Sequence, residues 1–160
     1  MEKIHPHVTI GHIHLTVSDL KKSLAFYQDI LGFEITTKYG DSAVFLSAGG
    51  YHHHIGLNTW SGVDAPRPPK GTTGLYHFAI LYPNRKELAR AVQQLITARY
   101  PIEGASDHGV SEAVYLSDPD GNGIEIYADR PKEQWPRNTG GEIEMVTKPL
   151  DLDDLLAELN

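Results

Sequence analysis

The feature that most limits how this chain can fold is an internal repeat. Gly-His-Ile-His-Leu at 11–15 is answered by Tyr-His-Phe-Ala-Ile at 76–80, which sets His12 over His77 at an offset of 65 residues. Ala-Val-Phe-Leu-Ser at 43–47 is answered by Ala-Val-Tyr-Leu-Ser at 113–117, at an offset of 70. The patterns between these anchors also recur. In the first half an alternating, β-branched stretch from Ile10 to Val17 predicts a strand. Ser18 reads as an N-cap, and Leu20, Leu24, Tyr27 and Leu31 line one face of a helix that Gly32 stops. Three short strand-like runs follow at 33–38, 42–47 and 53–59, parted by turns at 39–41 and 48–50. In the second half Tyr76–Tyr82 is the strand, and Asn84 with Glu87 forms a capping box. Leu88, Val92, Leu95 and Ile96 continue that helix, and three further short strands fit between Pro101 and Tyr127. The fold class expected is α+β, built from two β-α-β-β-β modules at about 8–60 and 75–130 in one domain spanning 8–130. The Pro/Gly-rich segment 61–74 connects them, and 131–160 is a polar tail ending in a short acidic helix at 151–159.

Composition removes several classes of function. The formal net charge of −7 argues against nucleic acid or an anionic membrane as a partner, because both reward basic patches. No apolar run approaches the roughly 18 residues of a membrane span. The opening MEKIHPHVTI lacks the apolar core and cleavage site of a secretory signal, so a cytoplasmic protein is expected. With no cysteine, the chain has no disulfide, thiolate–metal site or cysteine nucleophile. Nine histidines remain, and with the carboxylates they are what chemistry can run through.

Two histidines at equivalent places in a repeat differ from a lone strand histidine, which is usually structural. If the halves pack about a pseudo-twofold axis, His12 and His77 can meet at one point. A third donor is offered by Glu125, which follows the tight Asp118-Pro-Asp-Gly turn. Strand alternation sets Glu125 and Tyr127 on one face and Ile124 and Ile126 on the other. A carboxylate buried between two isoleucines needs a partner, and a metal ion supplies one.

These motifs resemble those of the vicinal oxygen chelate superfamily, which holds glyoxalases, bleomycin- and fosfomycin-resistance proteins and extradiol dioxygenases. The resemblance rests on Gly11-His12, Val17-Ser-Asp-Leu20, Ser23-Leu-Ala-Phe-Tyr27 with Leu31-Gly-Phe33, Tyr76-His-Phe-Ala79, and Asp118 through Glu125. It implies a metal on His12, His77 and Glu125, a two-His-one-carboxylate set that leaves three positions open. The members most resembled are the type I extradiol catechol 2,3-dioxygenases of aromatic catabolism. That implies Fe(II), with Mn(II) as the alternative, and a small aromatic diol plus O₂ as substrates. A homo-oligomer is expected from the same resemblance.

Three features carry the extradiol resemblance. Such enzymes place an acid–base histidine at the head of a short apolar run, where this chain has Tyr51-His-His-His54-Ile-Gly-Leu. His54 fits best, with His53 as its competitor. Tyr115 stands ten residues before Glu125, the family's place for a tyrosine that touches the substrate oxygen. His108-Gly-Val-Ser111 resembles a stretch flanking the site in some extradiol enzymes. Plainer readings stand beside these. The three histidines could form a solvated turn, Tyr115 could be a core aromatic like its repeat partner Phe45, and His108 could simply pair with Asp107. His14 shares a strand face with His12, and substrate contacts could come from Trp60, Tyr76, Phe78 and the 60–74 connection. Two other enzyme classes fit the superfamily, a glyoxalase-like lyase or isomerase and an antibiotic thiol transferase. Glyoxalases typically add a fourth, acidic ligand on the strand where this chain has His54-Ile-Gly56, and no acidic residue lies between Asp41 and Asp64. A non-catalytic drug-binding module is the remaining alternative, and such modules commonly lose the triad.

Overall fold

The computed structural model describes residues 2–160 and resolves the repeat into two units that divide between Pro66 and Arg67. The first contains β1 (Ile13–Thr16), α1 (Leu20–Tyr27), β2 (Glu34–Tyr39), β3 (Ala43–Ser47) and β4 (Ile55–Asn58). Its sheet runs β1-β4-β3-β2, with β1 parallel to β4 and the other pairs antiparallel. The second contains β5 (His77–Tyr82), α2 (Arg85–Thr97), β6 (Gly104–Asp107), β7 (Ser111–Ser117) and β8 (Gly123–Asp129). Its sheet runs β5-β8-β7-β6, with β5 parallel to β8, and β9 (Lys148–Pro149) extends it beyond β6. The two units therefore share one β-α-β-β-β topology, as the repeat predicts, with the first strand of each lying beside the last.

Helix ends follow local chemistry. α2 starts where expected, with the Asn84 side chain accepting from the Glu87 N–H at 2.9 Å. α1 is capped one residue later than the sequence suggests. Asp19, not Ser18, is extended at φ −155° and accepts from the amides of Lys21 and Lys22. Its carboxylate can serve two of the orphan amides at once. α1 ends at Tyr27, and the turn that follows closes at Gly32, whose φ of +83° suits a residue without a Cβ.

Each core lies on one face of its sheet. α2 buries Leu88, Ala89, Ala91, Val92 and Leu95, and β8 buries Ile124, Ile126 and Ala128. Glu125 and Tyr127, at the alternate positions, are half-buried on the other face. In the first unit Phe26 and Tyr27 of α1 and Val44, Leu46, Ile55 and Leu57 of the sheet are buried.

The polar tail packs on the second unit. α3 (Leu152–Leu156) lies on α2 and buries Leu155. Arg85 ties it down with contacts to Asp154 at 2.5 Å and Glu158 at 2.7 Å. The same guanidinium reaches Glu112 of β7 at 2.6 Å, and Arg130 meets Glu112 from the other side at 2.9 Å. Glu112 is 6% exposed, so both arginines are needed to offset its desolvation. Among the described residues no helix is long and apolar enough to cross a membrane.

Candidate metal and acid–base site

In the second unit, register brings the chemistry-bearing residues to one face. Glu125 lies opposite Tyr115 across β7–β8 and opposite Ala79 across β5–β8, while His77 pairs with Gly123. His77 Nε2 stands 3.0 Å from Glu125 Oε2, with side chains 30% and 15% exposed. Gly123 makes that approach feasible. A Cβ there would strike the Tyr76 carbonyl oxygen and crowd His77 Cβ at 3.1 Å.

Tyr115 completes this face. Its ring centroid lies 5.9 Å from that of His77, and its hydroxyl is 2.6 Å from His108 Nε2. Burial, then the neighbouring Glu125 and Tyr76, raise the Tyr115 hydroxyl above the ordinary phenol value, so it stays protonated. His108 does not pair with Asp107. The Asp107 carboxylate takes the Gly109 N–H at 2.8 Å and Arg130 at 2.9 Å. Burial pushes that carboxyl up, but these two contacts outweigh it and hold it below the ordinary value.

The first unit carries the matching face. His12 lies against His53, ring centroids 4.4 Å apart, and His53 lies against Phe45 at 5.1 Å. Of the three consecutive histidines, His53 therefore shares surroundings with His12. Partial burial, then His12, His52, His14 and His54, lower its imidazole below the ordinary value. His54 turns elsewhere. Its Nδ1 accepts from the Ala48 N–H at 3.3 Å, and its ring stacks near Tyr51 at 4.9 Å. His52 stacks on Tyr51 at 4.1 Å and meets His53 Nδ1 to Nδ1 at 2.7 Å, and Thr36 Oγ1 donates to its carbonyl at 2.8 Å. The run is a turn braced by these contacts, with Tyr51 and His52 exposed and His53 and His54 half-buried.

The two registers expose a difference between the modules. Phe45 pairs with Gly56 as Tyr115 pairs with Glu125, so Gly56 holds the position of the carboxylate. Its cross-strand neighbour is His14, where the second module has Ala79. The His14 ring fills the space over Gly56, with Cγ 2.9 Å from where a Cβ would stand, and contacts Phe45 and Trp60 at 5.6 and 5.3 Å. Large and small residues are thus exchanged across one strand pair.

Within each unit, among the described residues, no three His, Asp or Glu side chains are arranged so as to hold a metal ion. What the second unit does assemble fits a divalent ion. An imidazole nitrogen and a carboxylate oxygen, both metal donors, face one another on a half-buried surface with a tyrosine hydroxyl nearby. Sequence reasoning missed Val146, whose carbonyl lies 2.8 Å from His108 Nδ1. It contributes only backbone atoms, and no side-chain pattern could have singled it out.

The family model described as Glyoxalase/Bleomycin resistance protein/Dioxygenase superfamily matches residues 9–126. The chain is 45% identical over 158 residues to a catechol-2,3-dioxygenase of Bacillus subtilis (strain 168), covering 99% of this chain and 54% of that protein. It is 31% identical to biphenyl-2,3-diol 1,2-dioxygenase 3 of Rhodococcus globerulus, covering 75% of this chain and 63% of that one. It spans less than two thirds of the length of these two curated relatives. A solved lactoylglutathione lyase from Agrobacterium tumefaciens superposes with a TM-score of 0.59 at 27% identity, covering 78% of this chain and 96% of the other.

Proposed function

Because the chain belongs to the glyoxalase/bleomycin resistance protein/dioxygenase superfamily, we propose that it is an extradiol ring-cleaving dioxygenase acting on a catechol-type aromatic with O₂. The observation that carries this reading is the second unit's face. It sets the His77–Glu125 donor pair beside Tyr115, itself hydrogen-bonded to His108. The similarity to a catechol-2,3-dioxygenase along nearly the whole chain supports it.

His12, His77 and Glu125 are the residues that would hold Fe(II), with Mn(II) as the alternative. Such an ion would supply a Lewis-acidic centre for two vicinal oxygens and a path for electrons from the catecholate to O₂. Two neutral imidazoles and one carboxylate leave a divalent ion with one net positive charge, which favours an anionic catecholate.

Proton movement falls to His53. It lies beside His12, and its lowered pKa keeps it neutral and able to accept the second catechol proton. In the tautomer whose Nδ1 donates to His52 Nδ1, its Nε2 is free to take that proton and return it as the ring opens. His54 suits the role less well. Its Nδ1 accepts from Ala48, so in the neutral ring the proton sits on Nε2, and that atom can only donate. Tyr115 orients a substrate oxygen by hydrogen bonding from the face it shares with Glu125. Against a four-donor lyase site stands Gly56, which offers no side chain at the position equivalent to Glu125.

The test is anaerobic loading with Fe(II), addition of catechol and substituted catechols, and then admission of O₂. A yellow ring-opened semialdehyde formed with equimolar O₂ uptake is expected. Isomerisation of a methylglyoxal–thiol adduct, with every catechol left intact, would overturn the reading in favour of a lyase.

A further inference from the structure

Val146 lies outside the stretch that the family model matches, yet it grips His108 twice. Its N–H donates to the His108 carbonyl at 3.1 Å, and its own carbonyl stands 2.8 Å from His108 Nδ1. A carbonyl oxygen only accepts, so Nδ1 must carry a proton. A neutral imidazole has one such proton, so Nε2 is bare. The 2.6 Å contact between Nε2 and the Tyr115 hydroxyl is then a bond donated by the phenol. Tyr115 thus donates to His108, and His108 donates to the Val146 carbonyl.

The clip is held from several sides. The Glu144 N–H donates to the Pro136 carbonyl at 2.9 Å, and β9 pairs Lys148 with Asp107 and Pro149 with Ser106. At the turn after His108, Gly109 has φ +76°, and a Cβ there would stand 2.8 Å from Pro136 Cγ and 3.3 Å from Val146 Cγ2. The turn bearing His108 and the segment bearing Val146 therefore fit only with a glycine between them.

We propose that Val146 is a positioning residue of the site. Its carbonyl fixes His108 as the Nδ1–H tautomer, and this turns the Tyr115 proton toward His108 and leaves the Tyr115 lone pairs facing substrate. The role toward substrate rests on the dioxygenase reading above, while the direction of the hydrogen bonds does not. Within that reading, Tyr115 receives a hydrogen bond from a substrate hydroxyl while His108 is neutral, instead of giving one.

The test reads the tautomer directly. In the full chain labelled with ¹⁵N-histidine, long-range ¹H–¹⁵N correlation spectra above the imidazole titration range should show His108 with a pyrrole-like Nδ1 and a pyridine-like Nε2. His108→Gln assigns those signals by their loss. Val146→Pro keeps the carbonyl at this position but removes the N–H that seats it against His108. It should give averaged tautomers for His108 and lower kcat on catechol about tenfold, with KM changed no more than about twofold. Val146→Ala keeps both backbone groups and should keep the wild-type spectrum and kcat. An Nε2–H or averaged His108 in the unsubstituted chain overturns the proposal. If the spectrum is as expected but no catechol is turned over, the dioxygenase reading fails and the assignment of Val146 to His108 stands.

Discussion

Gly123→Ala adds a single methyl group where β5 and β8 come closest, and its effect can be worked out from the atoms it meets. The new Cβ would collide with the Tyr76 carbonyl oxygen and lie 3.1 Å from His77 Cβ and 3.3 Å from His77 Cα. None of these is the end of a flexible side chain, so relief requires the strands to shift and not a rotamer to change. Overpacking of this kind costs about 1–3 kcal/mol. For a chain of this size that lowers Tm by roughly 2–12 °C. The functional cost is larger in proportion, because His77 opens β5 and its Nε2 stands 3.0 Å from Glu125. Misplacing a reacting or coordinating group by about 1 Å costs on the order of a hundredfold. Calorimetry, titration of the apoprotein with a divalent metal, and catechol turnover should therefore all register the substitution, with metal affinity falling at least about tenfold. Gly104→Ala is the control, since its nearest neighbour would be Tyr115 Cδ2 at 4.0 Å, an ordinary contact. If Gly123→Ala and Gly104→Ala both match wild type in Tm and metal affinity, the close approach does not place His77.

His53→Ala should keep its metal and lose turnover by about two to four orders of magnitude, measured as single-turnover ring opening. His54→Ala should lose less, and the reverse order would return the acid–base role to His54. Glu125→Ala removes the carboxylate from the proposed donor set and should leave the protein without metal after dialysis, as read by elemental analysis. Asp107→Asn tests the depressed carboxyl. A folded pKa below the unfolded one contributes stability that is present above the unfolded value and lost as pH falls through the folded one. Urea midpoints of wild type and variant should thus differ at neutral pH and converge in strong acid.

The repeat was legible because duplicated modules keep their periodicities even where residues diverge. Alternation in Ile124-Glu-Ile-Tyr127 was enough to set Glu125 apart from the core, since strand geometry leaves no other choice. The histidine run was not readable in the same way. It lies before β4 begins at Ile55, so no strand period fixes which ring faces His12. The answer comes from tertiary neighbours, Phe45 and His12 around His53, and Ala48 and Tyr51 around His54. Ser18 and Asp19 are both good caps, and only the backbone conformation decided between them. Val146 was invisible because what matters there is a carbonyl that every residue type carries.

The exchange of His14 and Gly56 for Ala79 and Glu125 shows how a duplicated module can change its chemistry without altering its frame. One volume is shared by two neighbouring strands, and either strand can fill it. When β8 fills it, the module presents a carboxyl group, and when β1 fills it, an imidazole ring. Divergence of this kind needs two coordinated replacements, because a carboxylate at 56 would collide with the imidazole already lying there. The pairing acts as a latch against drift: either substitution alone leaves a clash or a void, and only the double exchange, His14→Ala with Gly56→Glu, would make the first module a copy of the second at this position.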